Sequence, residues 1–281
     1  MKLLVNKHRI GLIAGYGHFP IELAESLKRH GFEVHCVAAK EETFPAIEQV
    51  VHSVTWLHVG QVGGMIKALK RSGVREVVMA GKVRKLNLFR NFRPDLTALR
   101  GLMSLKDRKD DTILLKIAAL LQEAGLELIP QTRYAGEMLA AEGQIAGPSV
   151  NAALLRDMCF GFRQAKAIAG LDIGQTVVVR AQAVMAVEAI EGTDEAIRRG
   201  GALAREGAVV VKVAKPKQDL RFDVPAVGPD TLRVMREAGC RALCIEAGKT
   251  LLIERESFLR LAASEGITVH ALSEEAVIRA C

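Results

Sequence analysis

Short apolar runs alternate with segments of helical periodicity through the first half of the chain. Residues 9–13 form an apolar run closed by a glycine-bearing turn at 15–17, after which apolar positions recur at helical spacing. Pro20 suits the first turn of that helix, where a backbone N–H is not needed. Later apolar runs and helical segments alternate at 33–38, 59–71, 76–80, 110–123 and 126–129. This alternation predicts a Rossmann-like parallel sheet covered by helices.

The second half is also predicted to be α/β, in a less regular order. Strands are indicated at 175–180, 183–188 and 208–213, among helical segments that include 150–169 and one that Thr193 begins. The stretch 142–148 contains glycine and proline and is interpreted as a linker. We therefore expect an N-terminal domain over residues 1–141 and a C-terminal α/β domain over 149–281.

Composition excludes several classes of protein. The 281 residues are 49% hydrophobic, which excludes disorder, and no window approaches the roughly 18 uninterrupted apolar residues of a membrane helix. The N-terminus does not have the pattern of a signal peptide, and the five cysteines are scattered. These features indicate a cytoplasmic protein with reduced thiols. Histidine spacing shows no zinc motif.

The net charge of +7 comes from the first half of the chain. The segment Lys82–Lys109 carries nine basic residues against Asp95 and Asp107, and its bases alternate with leucine and phenylalanine. Such a segment suits an anionic membrane surface or an anionic, partly apolar ligand, although a solvated helix face would look the same. Nucleic-acid binding is not expected, because no recognised nucleic-acid module accompanies the charge.

The turn Gly15-Tyr16-Gly17 lies between a predicted strand and a predicted helix. Backbone N–H groups at such a place can bind a phosphate, and a tight turn without a ligand is the alternative. We expect Gly15 and Gly17 to let the chain approach a nucleotide closely. Binding of NAD is disfavoured, because Pro20 replaces the third glycine of the dinucleotide fingerprint.

The densest group of polar residues follows the apolar strand that ends near Val213. Lys212, Lys215 and Arg221 lie there with Gln218 and two aspartates, Asp219 and Asp223. Open α/β sheets bind ligands at the carboxyl ends of their strands, and cations beside carboxylates can hold a diphosphate while a carboxylate positions water or a divalent ion. An exposed charged loop is the alternative.

Two further acidic pairs are candidates. Asp110-Asp111 and Thr193-Asp194 each begin a predicted helix, where helix capping alone would explain them. A helix N-terminus at Thr193 could also hold a phosphate.

Several blocks together resemble the LpxI-type UDP-2,3-diacylglucosamine pyrophosphatases. In chain order they are LIAG at 12–15, AGK at 80–82, KDD at 109–111, LDIGQ at 171–175, AVEAIEGTD at 186–194, KVAKPKQDLRFDVP at 212–225 and EAGKT at 246–250. The resemblance runs from about Ile10 to about Ala271. The ordered pair EGTD and KPKQDLRFDVP is its most specific part.

The resemblance implies a Mg²⁺-dependent hydrolase of lipid A biosynthesis at the cytoplasmic face of the inner membrane. Its lipid-linked UDP-sugar substrate would yield UMP and 2,3-diacylglucosamine 1-phosphate (lipid X). Asp223 would be catalytic and a candidate metal ligand, with Asp219 as a second. The residues expected to bind substrate are Ala14, Gly15, Gly17, Gly81, Lys82, Asp110, Asp111, Thr193, Asp194, Lys212, Lys215, Gln218 and Arg221. A homodimer is a candidate assembly.

Two other classes of function remain open at this point. The glycine turn could serve a nucleotide-sugar transferase or an oxidoreductase, whose reaction would depend on an added acceptor or on NAD(H). A non-catalytic carrier of lipid or nucleotide would bind its ligand without releasing UMP.

Overall fold

The computed structural model describes residues 8–84, 92–103, 110–216 and 218–280, without the side chains of Leu102, Asp110 and Asp111. The chain divides into two compact units. The first contains the residues up to Ala135 together with Leu220–Phe222, and the second contains Gly136–Asp219 and the residues from Asp223 onward. The predicted α/β class, with a parallel sheet in the N-terminal part and a second α/β domain, is confirmed.

The first unit is built on a five-stranded sheet of order β3-β2-β1-β4-β5, in which every described pairing is parallel. Its elements are β1 (Arg9–Ala14), α1 (Phe19–Arg29), β2 (Glu33–Ala39), α2 (Ile47–Val50), β3 (Ser53–Leu57), α3 (Val62–Arg71), β4 (Glu76–Ala80), α4 (Leu96–Met103), α5 (Asp110–Glu123) and β5 (Glu127–Leu128), followed by a 3₁₀ turn at Gln131–Arg133.

Helices cover this sheet because its strands are largely apolar. In one core cluster, Met65 and Leu69 of α3 and Leu121 of α5 pack with Val37 of β2 and Val77 of β4. The strand β3 was not predicted from the sequence. Its residues are only half-buried or exposed, so it shows no apolar run.

The second unit has a six-stranded mixed sheet of order β6-β13-β11-β9-β7-β8 and a separate parallel pair, β10–β12. After a 3₁₀ turn at Gly136–Met138, its elements are β6 (Gly143–Ala146), α6 (Ala152–Gly170), β7 (Thr176–Arg180), β8 (Ala183–Val187), α7 (Thr193–Ala204), β9 (Ala208–Lys212), β10 (Ala226–Val227), α8 (Pro229–Glu237), β11 (Cys240–Glu246), β12 (Leu251–Leu252), α9 (Arg255–Ser264), β13 (Thr268–Leu272) and α10 (Glu274–Ala280).

Both faces of the sheet are buried at β9, which explains why its residues Ala208–Val211 form an unbroken apolar run. Val209 and Val211 belong to the cluster formed with α6, whereas Val210 belongs to the cluster formed with α7, α8 and α9. The second unit is therefore a sheet between two layers of helices.

Two sequence expectations are wrong in this unit. The stretch 142–148, interpreted as a linker, contains β6, which pairs antiparallel with β13. Its glycines and proline suggested a linker, and its partner strand lies far away in the sequence. Among the cysteines, Cys36, Cys240 and Cys244 are buried thiols, but Cys159 is disulfide-bonded rather than reduced.

Candidate active site

In the first unit, candidate residues meet at the carboxyl ends of β1 and β4. These strands are neighbours, and the chain order reverses between them, which is where open α/β sheets bind ligands. Ala14 ends β1 and Gly81 follows β4. The predicted group Ala14, Gly15, Gly17, Gly81 and Lys82 is therefore brought together at one place.

Hydrogen bonds join the two turns directly. The Gly15 N–H donates to the Ala80 carbonyl at 2.8 Å, and the Tyr16 N–H donates to the Lys82 carbonyl at 2.7 Å. A Cβ on Gly15 would stand 2.7 Å from the Lys82 carbonyl oxygen. The Lys82 backbone therefore already explains why position 15 is glycine, and contact of Gly15 with a ligand stays a prediction. Gly17 has φ +109°, and no described atom outside its chain neighbours lies within 4 Å of the place a Cβ would take, so this side of the turn is open.

An aromatic and cationic cluster borders these turns, and sequence reasoning missed it. The Arg84 guanidinium lies 4.3 Å from the centre of the Tyr16 ring, and the Lys82 ammonium lies 5.8 Å from it. The Tyr16 ring meets Phe44 edge-on with centroids 5.3 Å apart. The buried Glu42 holds Arg84 in place through an ion pair of 3.0 Å. Tyr16 lies within the glycine turn that the sequence analysis singled out. Its partners lie far away in the sequence, so the cluster could not be predicted.

Asp110 and Asp111 begin α5, as expected, but their side chains lie outside the described residues. The basic segment is described only at 82–84 and 92–103, so the rest of it also lies outside. The helix α4 carries the exposed side chains Leu96, Leu99 and Met103.

In the second unit, three loops meet at one edge of the sheet. Thr176 at the start of β7 pairs with Lys212 at the end of β9, and Val177 pairs with Val187 at the end of β8. The loops before β7, after β8 and after β9 therefore share this edge. It is the carboxyl edge of the parallel strands β9, β11 and β13.

A chain of hydrogen bonds connects Lys212 to the start of α7. The Lys212 ammonium lies 3.3 Å from the Thr193 hydroxyl, which itself donates to the nearly buried Glu188 carboxylate at 2.8 Å. The other Glu188 oxygen accepts the Gln175 N–H at 3.3 Å. Gly192, rather than Thr193, is the N-cap of α7. A lysine and a helix N-terminus both favour an anion here, while Glu188 and the first-turn acids Asp194 and Glu195 add negative charge. Asp194, in the first turn, is exposed.

The loop after β9 holds most of the other candidates. The Lys215 ammonium lies 2.6 Å from the Asp172 carboxylate, and the Lys215 N–H donates to the Gln218 side-chain oxygen at 2.7 Å. The buried Gln218 Nε2 has no hydrogen-bond partner among the described residues. A buried donor without a partner is costly, so a polar ligand atom would satisfy it.

The two candidate aspartates lie in one turn of this loop. The Asp223 N–H donates to the Asp219 carbonyl at 3.0 Å. Both residues are half-buried and belong to the second unit, whereas Arg221 belongs to the first, where its guanidinium lies 5.7 Å from the Phe222 ring centre.

Comparison with known proteins decides the family. The family model described as LpxI N-terminal domain matches residues 9–138, and that of the LpxI C-terminal domain matches residues 141–270. The chain belongs to the LpxI family. It is 30% identical over 272 residues to the UDP-2,3-diacylglucosamine pyrophosphatase LpxI of Caulobacter vibrioides, covering 93% of this chain and 96% of the relative.

Solved structures resemble this LpxI-family chain only remotely. A UDP-glucose-4-epimerase from Stenotrophomonas maltophila matches with a TM-score of 0.29 and 12% identity, over 42% of this chain and 35% of that one. A biotin carboxylase domain of a single-chain bacterial carboxylase matches with a TM-score of 0.28 and 14% identity, over 62% of this chain and 36% of that one. Such low scores carry no argument about fold or activity.

The loop after β9 offers few protein ligands for a metal ion. In the part of the chain that the structure describes, no three His, Cys, Asp or Glu side chains come together as a metal cluster. Mg²⁺ commonly binds through one or two carboxylates, with waters and substrate phosphates completing its octahedron. The carboxylate-bearing turn Asp219–Asp223 fits that kind of site, and a closed all-protein site is not required.

The sequence analysis gave no role to three residues that hold the candidate site of the second unit in place. Asp172 pairs with Lys215, Glu188 accepts from Thr193, and Glu246 accepts the Ala214 N–H at 2.8 Å. All three lie inside blocks that carry the family resemblance. The partners of Asp172 and Glu246 are distant in sequence and follow from the pairing of strands, which no local pattern reveals, whereas Glu188 and Thr193 lie in the same connection.

Proposed function

We propose that this protein hydrolyses the diphosphate of UDP-2,3-diacylglucosamine to UMP and 2,3-diacylglucosamine 1-phosphate in lipid A biosynthesis. The full-length match to the Caulobacter relative supports the substrate and reaction. The structural observation that supports the proposal is the loop after β9, which begins at Lys212 and Lys215 and continues through Gln218 into the turn Asp219–Asp223.

This loop suits attack of water on a phosphorus atom. Breaking a phosphoric anhydride bond increases negative charge on the phosphate oxygens, and positive groups aimed at those oxygens stabilise the transition state. Lys212 with the α7 N-terminus, Lys215 and the Gln218 amide supply such groups. The Asp223 carboxylate orients the attacking water or accepts its proton.

A magnesium ion is part of the proposal. Asp223 and Asp219 are the side chains that would hold it, because their carboxylates are the hard oxygen ligands that Mg²⁺ prefers. When bound, the ion would neutralise charge on the diphosphate.

The nucleotide part of the substrate is assigned to the first unit. At the carboxyl ends of β1 and β4, the open turn at Gly17 and the Lys82 ammonium offer phosphate contacts, and the Tyr16 ring offers an aromatic surface. The position of this group at the reversal of strand order supports the assignment.

Peripheral binding to the cytoplasmic face of the inner membrane is also proposed. Leu96, Leu99 and Met103 follow one another at spacings of three and four residues and lie on one face of α4, where they are 71%, 43% and 86% exposed. Arg93 and Arg100 add positive charge nearby. In the described residues, no helix is long and apolar enough to cross a membrane. The homodimer stays a prediction, which sedimentation of the purified protein would test.

The deciding experiment incubates purified protein with UDP-2,3-diacylglucosamine and Mg²⁺ and measures UMP and lipid X. We expect both products in equal amounts, and loss of turnover when Mg²⁺ is chelated. Binding without UMP release would indicate a carrier. A reaction that requires an added acceptor or NAD(H) would indicate a transferase or an oxidoreductase, and either result would overturn the proposal.

A further inference from the structure

A buried carboxylate holds the beginning of the loop that carries the candidate site. Glu246, at the end of β11, is 1% exposed. Its Oε2 accepts the N–H of Ala214 at 2.8 Å. Ala214 lies two residues beyond the end of β9 and directly precedes Lys215. The carboxylate therefore fixes the backbone where the sheet ends and the loop begins.

Lys166 of α6 holds the other backbone polar group of the same residue. Its ammonium donates to the Ala214 carbonyl at 3.2 Å and lies 3.1 Å from Glu246 Oε1. It also lies 3.0 Å from a Glu274 carboxylate oxygen at the start of α10. One ion pair thus binds both the N–H and the carbonyl of Ala214.

The network is balanced in charge. Lys249 lies 2.7 Å from Glu246 Oε1, so two ammonium groups face two carboxylates. The hydrogen bond to Glu246 raises the pKa of Lys249, and the hydrogen bond from Lys166 lowers the pKa of Glu274. Buried ion pairs add little to stability on average, because desolvation offsets their attraction. Stability alone is therefore a weak reason for burying Glu246.

The atoms that this pair fixes are directly connected to the candidate site. The next residue, Lys215, uses its N–H to bind the Gln218 side chain and its ammonium to bind Asp172. Val213, the preceding residue, donates its N–H to the Gln175 carbonyl at 3.0 Å. A shift of Ala214 would therefore move Lys215 and Gln218 out of these hydrogen-bonded positions.

We propose that Glu246, together with Lys166, is a positioning residue pair for the hydrolysis, acting by fixing Ala214 and the loop that follows it. The role in hydrolysis rests on the proposed function. The pair itself does not contact the reacting atoms, and it acts through the backbone of residues 213–219.

The first test is kinetic. Glu246→Gln and Lys166→Met should each lower kcat/KM for UDP-2,3-diacylglucosamine about 10²-fold in folded protein, because small displacements of catalytic groups have effects of that order. Glu265→Gln is the matched control, since Glu265 forms a surface ion pair with Arg236 at 3.0 Å. Lys249→Met removes a contact to Glu246 but none to Ala214. Both controls should keep wild-type kinetics.

A merely structural role predicts a different result. If Glu246 acts through the loop, adding Glu246→Gln to Asp223→Asn should lower kcat/KM by a much smaller factor than Glu246→Gln does in the wild-type protein. The reason is that the effects of residues acting as a unit are not additive. An equal loss of kcat/KM in both backgrounds would overturn the proposal. So would Glu246→Gln protein with a lower Tm but wild-type kcat/KM after correction for the folded fraction.

The second test does not depend on activity. Hydrogen exchange of the peptide covering 213–219 should be faster in Glu246→Gln and Lys166→Met than in wild type and Glu265→Gln. Unchanged exchange in this peptide would overturn the positioning role. If the wild-type protein does not hydrolyse the substrate, the proposed function fails, while exchange still decides whether Glu246 holds the loop.

Discussion

Gly15 and Lys82 are packed so closely that no side chain fits between them: a Cβ on Gly15 would stand 2.7 Å from the Lys82 carbonyl oxygen. The backbone of Lys82 cannot give way easily, because its N–H and carbonyl both bond to Tyr16. This contact joins the turns after β1 and β4, so the residue type at position 15 determines whether the two turns can pair.

Gly15→Ala should therefore lower the free energy of unfolding by about 1–3 kcal/mol, the usual cost of overpacking. Thermal or denaturant unfolding measures the change. Gly136→Ala is the control, because nothing described lies within 4 Å of a Cβ at Gly136. A Gly15→Ala protein as stable as wild type, with weaker substrate binding, would instead indicate that Gly15 makes room for a ligand.

The elements that position the second-unit site were predictable because each has a strong local signal. The run Ala208–Val211 is apolar and buried, so it predicted β9, and the charges that begin at Lys212 predicted a site at its carboxyl end. The start of α7 at Thr193 was likewise predicted. The hydroxyl of Thr193, however, contacts Glu188 and Lys212 rather than capping the helix.

Features that depend on strands distant in sequence were not predictable. The strand β6 has little apolar character of its own and is defined by pairing with β13. The contact between Glu246 and Ala214 spans 32 residues and exists because β11 lies beside β9. The cluster around Tyr16 likewise combines residues from separate turns. No local pattern contains this information.

Lys212→Met should weaken substrate binding. The Lys212 ammonium lies beside Thr193 at a helix N-terminus, where it would face a phosphate oxygen. Loss of one charged hydrogen bond of about 1.5–3 kcal/mol raises Kd roughly 10- to 100-fold. Binding of a non-hydrolysed substrate analogue measures the effect, with Lys67→Met on the exposed surface of α3 as control. Equal affinities in the two variants would remove Lys212 from the site.

Charged substitutions on the exposed face of α4 should reduce membrane binding. Wild-type protein should sediment with anionic vesicles, and less so as salt rises, because screening weakens attraction to the surface. Leu96→Glu with Met103→Glu should sediment less, since both side chains are largely exposed. Ile278→Glu, at a residue 80% exposed on α10, is the control. Equal sedimentation of both variants would exclude α4 as the membrane-contacting face.

Acidification should destabilise the first unit through His35. Burial, and then the charges of His52 and Arg9, lower the pKa of His35, while Glu33 opposes this. The unfolded chain, with a histidine pKa of about 6.5, then binds a proton that the folded protein does not. The free energy of unfolding should fall as pH drops below about 6.5.

His35→Gln should therefore flatten the decrease in Tm between about pH 7.5 and 5.5. The exposed His8 provides the control variant, His8→Gln. A His35→Gln protein with the full wild-type dependence on pH would show that other groups cause the acid sensitivity.

Asp223→Asn should remove most of the chemical step while substrate still binds. An amide carries no charge for Mg²⁺ and cannot accept a proton as a carboxylate does, so kcat should fall roughly 10²- to 10⁴-fold. Lys212 and Lys215 remain to bind the diphosphate, and binding could even tighten, because a negative charge beside the phosphates is removed. Single-turnover rates and Tm are measured on the same protein. Asp230→Asn is the matched control, since Asp230 pairs locally with Arg233 at the exposed start of α8. If Asp223 served only to hold the loop, the asparagine variant would melt earlier and yet turn over at the wild-type rate per folded molecule, which would end its catalytic assignment.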